Sequence, residues 1–400
     1  MDKTKPEVRP VRDRERPEVA EVFRRHLEEY LAGHRLSIEQ HKVVRHIKQC
    51  RTAALGGHRE ECDSCHHTRN AYNSCRDRHC PKCQAMAKER WLAARRAELL
   101  PCGYFHLVFT IPHLLNPVIL HNRRFCLSLL FAAVNQTLQL FAADPRWRLK
   151  GKVGFIGVLH TWSQTLIDHF HLHCLIPAGA LTCDGKSWHP ARRNYLFRLS
   201  SLADCFRNRF LAGLQKEIER GELVLPPEVS RRQLELLLAR AAGKKWITYA
   251  KRPFAGPEKV LEYLAGYTHR VAIANHRLRK ITDGKVTFAY KDRQKNNAKR
   301  LMTIEAREFI RRFLLHVLPE GFTRIRYFGF MSHTRKREAI PTIRKLIDPL
   351  RPPPEIAKKE TVRETMLRVS GIDIDLCPAC GKGKMMLVTR LTPALGRDTS

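Results

Sequence analysis

The sequence predicts an α+β fold, with a mostly antiparallel sheet and flanking helices behind an N-terminal helical, metal-binding region. Three observations carry this. Strand-like β-branched and aromatic runs are interleaved with amphipathic helical runs, without the strict alternation that builds a parallel sheet. Two Cys-x2-Cys pairs lie close together early in the chain. The 400 residues are enough for two or more domains, each with its own core.

The elements follow in order. Residues 1–18 are charged and proline-containing and read as a disordered basic arm. In EVAEVFRRHLEEYLAGH, Val19, Val22, Phe23, Leu27 and Leu31 form one helical stripe. A second helix starts at Ser37, an N-cap whose partner three residues on is Gln40, the pattern of a capping box. The cysteine cluster follows, then a helix over about 85–100. YFHLVFTIP (Tyr104–Pro112) reads as a strand and Phe125–Ala143 as a helix. VGFIGVLHTW (Val153–Trp162) and HFHLHCLIP form two more strands joined by a short polar link. Helices are expected over Leu202–Arg220, in RRQLELLLARAA and in GPEKVLEYLAGYTHRV. KWITYAKRPF and KVTFAYKD (Lys285–Asp292) are further strand candidates, and Leu350–Glu360 is a linker.

Composition narrows the partners. Lys and Arg number 73 against 39 Asp and Glu, a balance of +34 spread along the whole chain. Charge on that scale fits a polyanionic partner, with nucleic acid first. The start has no apolar h-region, and Phe125–Ala143 is interrupted by Ser, Asn, Gln and Thr, so it reads as a buried helix. No membrane partner is expected, and the location expected is cytoplasmic, associated with the nucleoid. Six of the 13 cysteines lie between Cys50 and Cys83, a usage that suggests a reducing compartment and metal ligation.

In CDSCHHTRNAYNSCRDRHCPKC the pairs Cys62/Cys65 and Cys80/Cys83 are separated by 14 residues. Each pair makes a tight knuckle whose thiolates reach one ion, so the four together are expected to hold one structural Zn2+. Cys50, Cys75, His58 and His79 are close enough to substitute or to hold a second ion. Arg76, Arg78 and Lys82 are the nearby cations expected to contact DNA. A further knuckle, Cys377 and Cys380, lacks two ligands. Distant residues or another subunit complete it, or it is an unmetallated remnant.

In DHFHLHCLIP, strand geometry puts His169, His171 and His173 on one face and Phe170, Leu172, Cys174 and Ile176 on the other. Alternate side chains are about 7 Å apart along a strand. Two imidazoles can therefore converge on one cation, leaving coordination positions open for catalysis. If the site faces DNA phosphate, Mg2+ or Mn2+ is favoured. In GPEKVLEYLAGYTHRV, Pro257 and Glu258 suit the first helical turn. Tyr263, Tyr267 and Arg270 lie on one stripe, the two phenols stacked at i, i+4 and Arg270 a further expected DNA contact. A tyrosine can attack phosphorus to give a covalent phosphotyrosine. Two half-buried aromatics beside a core stripe would look the same.

Taken together, these pieces resemble the two-tyrosine HUH endonucleases, and most closely the rolling-circle transposases of the insertion-sequence ninety-one family. The resemblance rests on CRTAALGGHREECDSC with SCRDRHCPKCQ, FTIPHLLNP, HTWSQTLIDHFHLHCLIPAGAL, YAKRPFAGPEKVLEYLAGYTHRVAIANHRL, VTFAYKD and RIRYFGF, in order from Cys50 to Phe330. It implies an HUH-type palm over 101–345, behind a helical and zinc-binding domain over 19–100 and before a linker and Cys-x2-Cys tail over 346–400. It implies His171 and His173 as the catalytic metal pair and Tyr263 and Tyr267 as nucleophiles. The activity implied is nicking and rejoining of single-stranded or hairpin DNA ends through 5′-phosphotyrosine, and a homo-oligomer is compatible with it. Phe170 stands where such proteins commonly have Pro, which leaves the role of His169 open. The third metal ligand is also open among His269, Glu262, His160 and Gln164. A zinc-dependent DNA binder without chemistry and a metal-dependent DNA hydrolase are the alternative readings.

Overall fold

A computed structural model of the chain describes residues 17–192, 195–251, 259, 266, 268–292, 295–350, 352 and 360–394. The expected basic arm and the tyrosine helix fall largely outside them. In chain order the elements begin with helices α1 (Val19–Leu31) and α2 (Ile38–Gln49), strands β1 (Gly57–Cys62) and β2 (Thr68–Tyr72), and α3 (Gln84–Arg96). Then come β3 (Tyr104–Thr110), α4 (Asn116–His121), α5 (Arg123–Ala143), β4 (Phe155–Trp162), β5 (Asp168–Pro177), β6 (Gly179–Leu181) and β7 (Trp188–Pro190). Helices α6 (Leu199–Glu219) and α7 (Arg231–Gly243) precede β8 (Ile247–Lys251). The remainder is β9 (Leu278–Thr282), β10 (Lys285–Asp292), β11 (Ala298–Glu305), α8 (Ala306–Leu314), β12 (Ile325–Phe328), α9 (Lys336–Ile347), α10 (Val362–Ser370) and β13 (Met385–Leu391). The fold is α+β, and every named strand pairing is antiparallel.

Contacts divide the chain into two units, and the division is discontinuous. One unit takes Ala94–Thr268 and Leu318–Glu355. The other takes the chain up to Ala93, His269–Val317 and the part from Ile356 onward. The blocks expected from sequence are contiguous, whereas this division by contacts is not. The strand candidate Lys285–Asp292 does not enter the main sheet but sits centrally in a three-stranded one, β11-β10-β9.

The larger unit is built on a five-stranded sheet in the order β12-β4-β5-β3-β8. Alternation sends Phe105, Leu107 and Phe109 of β3, Phe155 and Leu159 of β4, and Phe170, Leu172, Cys174 and Ile176 of β5 into one core. Helix α5 supplies Leu127, Leu130, Phe131, Val134 and Leu138 to that core, and α6 adds Phe206 and Phe210. Helix α5 is long and apolar enough to cross a membrane, but here it is the core helix under the sheet. The residues between, His106 on β3, His160 on β4 and His171 and His173 on β5, take the opposite face of the sheet.

In the smaller unit α1 packs on α8, with the rings of Phe23 and Phe313 edge to face at 5.3 Å. Val19, Val22 and Phe23 are buried as the stripe predicts, but Leu31 is exposed and Tyr30 closes the buried face instead. The capping box at Ser37 is formed. The Gln40 amide donates to Ser37 Oγ at 3.3 Å, and the Ser37 amide donates to Gln40 Oε1 at 2.9 Å. A second three-stranded sheet, in the order β13-β1-β2, joins the end of the chain to its cysteine-rich start.

Candidate functional site

The site on the larger unit grows from the pairing of β4 with β5. His160 stands opposite His171, and Val158 opposite His173, so His160 is directly across from one histidine and diagonal to the other. One ring nitrogen from each of His160, His171 and His173 lies within 4.8 Å of the other two. Of the four candidates for a third ligand, His160 is the one that the fold brings to His171 and His173. His269 belongs to the other unit, where its ring lies 6.0 Å from Trp91, and Glu262 is outside the described residues.

All three rings are buried, at 2 % exposure for His160 and 5 % for each of the others, so this is no solvated polar face. Two of the three rings are held from behind by hydrogen bonds. His171 Nδ1 donates to the carbonyl of His169 at 2.7 Å, which leaves the lone pair on Nε2 for a cation. His173 Nδ1 shares a 2.9 Å hydrogen bond with His106 Nε2. Burial, reinforced by Lys251, pushes His106 down to about 4, so it stays neutral and able to hold His173. Sequence reasoning did not single out His106. The signal was its place in a strand (HLVFT) that had to pair with something.

His169 is not part of this group, although its ring is 4.6 Å from that of His171. Register changes between His160 and Trp162, so that two residues of β5, His169 and Phe170, face the single Thr161 of β4. This bulge reorients His169, which bonds instead to His113 Nε2 at 2.8 Å. On the far side of β4, Arg324 pairs its carbonyl with the Leu159 amide at 3.0 Å. Its guanidinium donates to the carbonyl of Thr268 at 2.5 Å. The chain one residue past Tyr267 is therefore tied to the strand position next to His160. Tyr263 and Tyr267 themselves lie outside the described residues.

The thiols form two clusters, which corrects the single expected site. Cys80 and Cys83 gather with Cys50 and Cys75, whereas Cys62 and Cys65 gather with Cys377 and Cys380. The strand pair β1–β2 separates the two knuckles that looked adjacent in sequence. Four sulfurs at about 2.3 Å from a tetrahedral ion lie about 3.8 Å apart. The first cluster fits: Cys50 to Cys83 is 3.5 Å and Cys75 to Cys83 is 3.6 Å. His58 and His79 join neither cluster; His58 pairs with Glu60 at 2.9 Å, and His79 is buried.

Of the expected DNA contacts, Arg76 and Arg270 are exposed and Arg78 is half-buried. Lys82 is engaged otherwise, in an ion pair with Glu18 at 2.6 Å.

Comparison with known proteins adds to this geometry. A family profile described as "Transposase zinc-binding domain" matches residues 22–111, and one described as "Putative transposase" matches 154–338. The chain is 44% identical over 378 residues to "Putative transposase y4qJ" of Sinorhizobium fredii, covering 93% of this chain and 95% of that one. It is 28% identical over 324 residues to the transposase for insertion sequence element IS801 of Pseudomonas savastanoi pv. phaseolicola, covering 78% and 75%. No solved structure matches.

Proposed function

Because the chain belongs to the IS91-type transposases that carry an N-terminal zinc-binding domain, enzymes that cleave and join DNA, we propose that it works on single-stranded DNA ends through 5′-phosphotyrosine intermediates. The observation that carries this reading is the buried imidazole triad His160, His171 and His173, with the segment after Tyr267 fastened to the neighbouring strand by Arg324. In this reading a phenol oxygen of Tyr263 or Tyr267 attacks the scissile phosphorus. The bond to the 3′ oxygen breaks, that oxygen leaves as a 3′-OH, and the 5′ phosphate stays on the tyrosine. Attack by a 3′-OH on the phosphotyrosine reverses the exchange, so rejoining needs no outside energy source. Two tyrosines allow two strands to be held at once.

The three imidazoles would hold a divalent cation, which supplies Lewis-acid polarisation of the phosphate. A donor set of three nitrogens favours Mn2+ over Mg2+, whose preferred ligands are oxygens. His106 and the His169 carbonyl keep the ligand rings aimed. Single-stranded DNA suits a second feature of the larger unit, a cavity of about 460 Å³ whose wall carries Arg148 and Arg192 with Trp147 and Tyr195, and also Arg146, which is paired with Asp144 at 2.6 Å. Cations beside exposed aromatic faces are the usual means of holding an unpaired strand.

Incubation with single-stranded oligonucleotides and Mn2+, followed by denaturing gels, tests the reading. A covalent protein–DNA adduct is expected. It should vanish in the Tyr263→Phe/Tyr267→Phe double variant while DNA affinity is retained. A metal-dependent hydrolase would still cut after both substitutions, and a pure binder would form no adduct before or after. Either result rejects the proposal.

A further inference from the structure

The zinc-binding profile ends at residue 111 and so contains neither Cys377 nor Cys380. We propose that these two residues, with Cys62 and Cys65, bind a second structural zinc ion that fastens the end of the chain into the zinc-binding unit.

The sulfur geometry is that of one tetrahedral ion. Each thiol of the first knuckle faces one of the second, Cys62 to Cys380 at 3.8 Å and Cys65 to Cys377 at 3.6 Å. These separations match the edge of a zinc–thiolate tetrahedron, about 3.8 Å, and are far from the roughly 2.05 Å of a disulfide. Backbone amides turn toward the sulfurs on both sides: Ser64 N lies 3.4 Å from Cys62 Sγ, and Gly383 N lies 3.3 Å from Cys380 Sγ. Such N–H groups favour the thiolate form that a metal needs. Gly383 has to be glycine, since a Cβ there would collide with Cys62 Sγ. Cys62 and Cys377 are each 1 % exposed, so two of the thiols are enclosed and not left as surface groups.

The backbone supports the same closure. The Asp63 amide donates to the Lys384 carbonyl at 3.0 Å, and the Lys384 amide donates to Asp63 Oδ1 at 2.8 Å. From there β13 runs antiparallel to β1, from Cys62 opposite Met385 to Gly57 opposite Leu391. Without β13, β1 and β2 are a lone hairpin, which is marginal in water. The ion would thus join chain segments 312 residues apart and hold the third strand on a sheet that needs it. The tail is an integral part of the N-terminal unit.

Metal analysis of the purified full-length chain tests this. With His171→Ala and His173→Ala in the background of every sample, so that the imidazole group adds nothing to the count, about two zinc ions per chain are expected, one for each thiol cluster. The Cys377→Ser/Cys380→Ser variant should retain about one, as should Cys80→Ser/Cys83→Ser. One ion in the chain with all its cysteines, or two in the tail variant, overturns the proposal. A measurement on the chain with all its cysteines guards against variants that lose both ions by unfolding. Titration of that chain, zinc-stripped and reduced, with Co2+ should raise the intense absorption of tetrahedral tetrathiolate cobalt up to about two equivalents. Saturation at about one equivalent, or a disulfide between the knuckles found by mass spectrometry of the native chain, also overturns it.

Discussion

At the scale of single residues the decisive event is one bulge. A hairpin continued regularly from the pair Trp162–Asp168 would set His160 against Phe170 and turn it toward the helix-covered face. The extra residue in β5 moves His160 opposite His171 and leaves His169 within the bulge, without a direct partner on β4. The sequence shows the three alternating histidines of β5, but nothing in it marks the bulge, so it leaves His160 as one candidate among four and the role of His169 open. His106 extends the argument one layer outward. Loss of a partner that orients a ligand typically costs roughly 10–100-fold in metal affinity or activity. His106→Ala is therefore expected to weaken Mn2+ binding within that range, measured by calorimetry, and excess Mn2+ should restore adduct formation. His160→Gln should weaken binding more, with little rescue. An unchanged Mn2+ affinity in His106→Ala would remove it from the site.

At the scale of elements, local chemistry explains most boundaries. The capping box at Ser37 was legible because both partners are three residues apart. Helix α8 shows how its own first turn is charged: Glu308 bonds Arg311 at 2.6 Å and Arg312 at 2.6 Å. The hydrogen bond from Arg311 leads, with Arg312 adding to it, in holding the Glu308 carboxyl down at about 2, below its ordinary 4.5. The folded chain thus favours the ionised form. Its stabilising contribution is complete above pH 4.5 and is lost as the pH falls from there toward 2. The group is partly exposed, so the contribution after screening is about 1 kcal/mol or less. Glu308→Gln should lower the denaturant midpoint most near pH 7, and the gap to wild type should close as the medium is acidified below 4.5. A gap that persists unchanged would assign the effect to packing and not to charge.

At the scale of the whole molecule, what the sequence revealed and what it hid divide by distance along the chain. The two faces of β5, the helix α5 and the presence of zinc-type knuckles all come from periodicity or spacing within some 20 residues. The partners of those knuckles, the separate sheet built around β10 and the discontinuous units all depend on contacts that no local pattern encodes. Charge escapes this limit, because it acts at long range and needs no register. The balance of +34 is spread along the chain, and Arg76, Arg148 and Arg192 are exposed examples of it. Binding that neutralises phosphates releases counterions, and 6–10 such contacts cost about 10³–10⁵ in affinity between roughly 50 and 200 mM salt. Single strands have a shallower slope than duplex DNA, so affinity for a single-stranded oligonucleotide of arbitrary sequence should fall by about 10²–10⁴ over that range, read by fluorescence anisotropy. Mn2+ binding at the buried imidazoles should change far less, because buried groups are poorly screened. A shallow slope for DNA would mean that the cations are not aligned along a strand, and that the affinity comes from stacking on surfaces such as Trp147 and Tyr195.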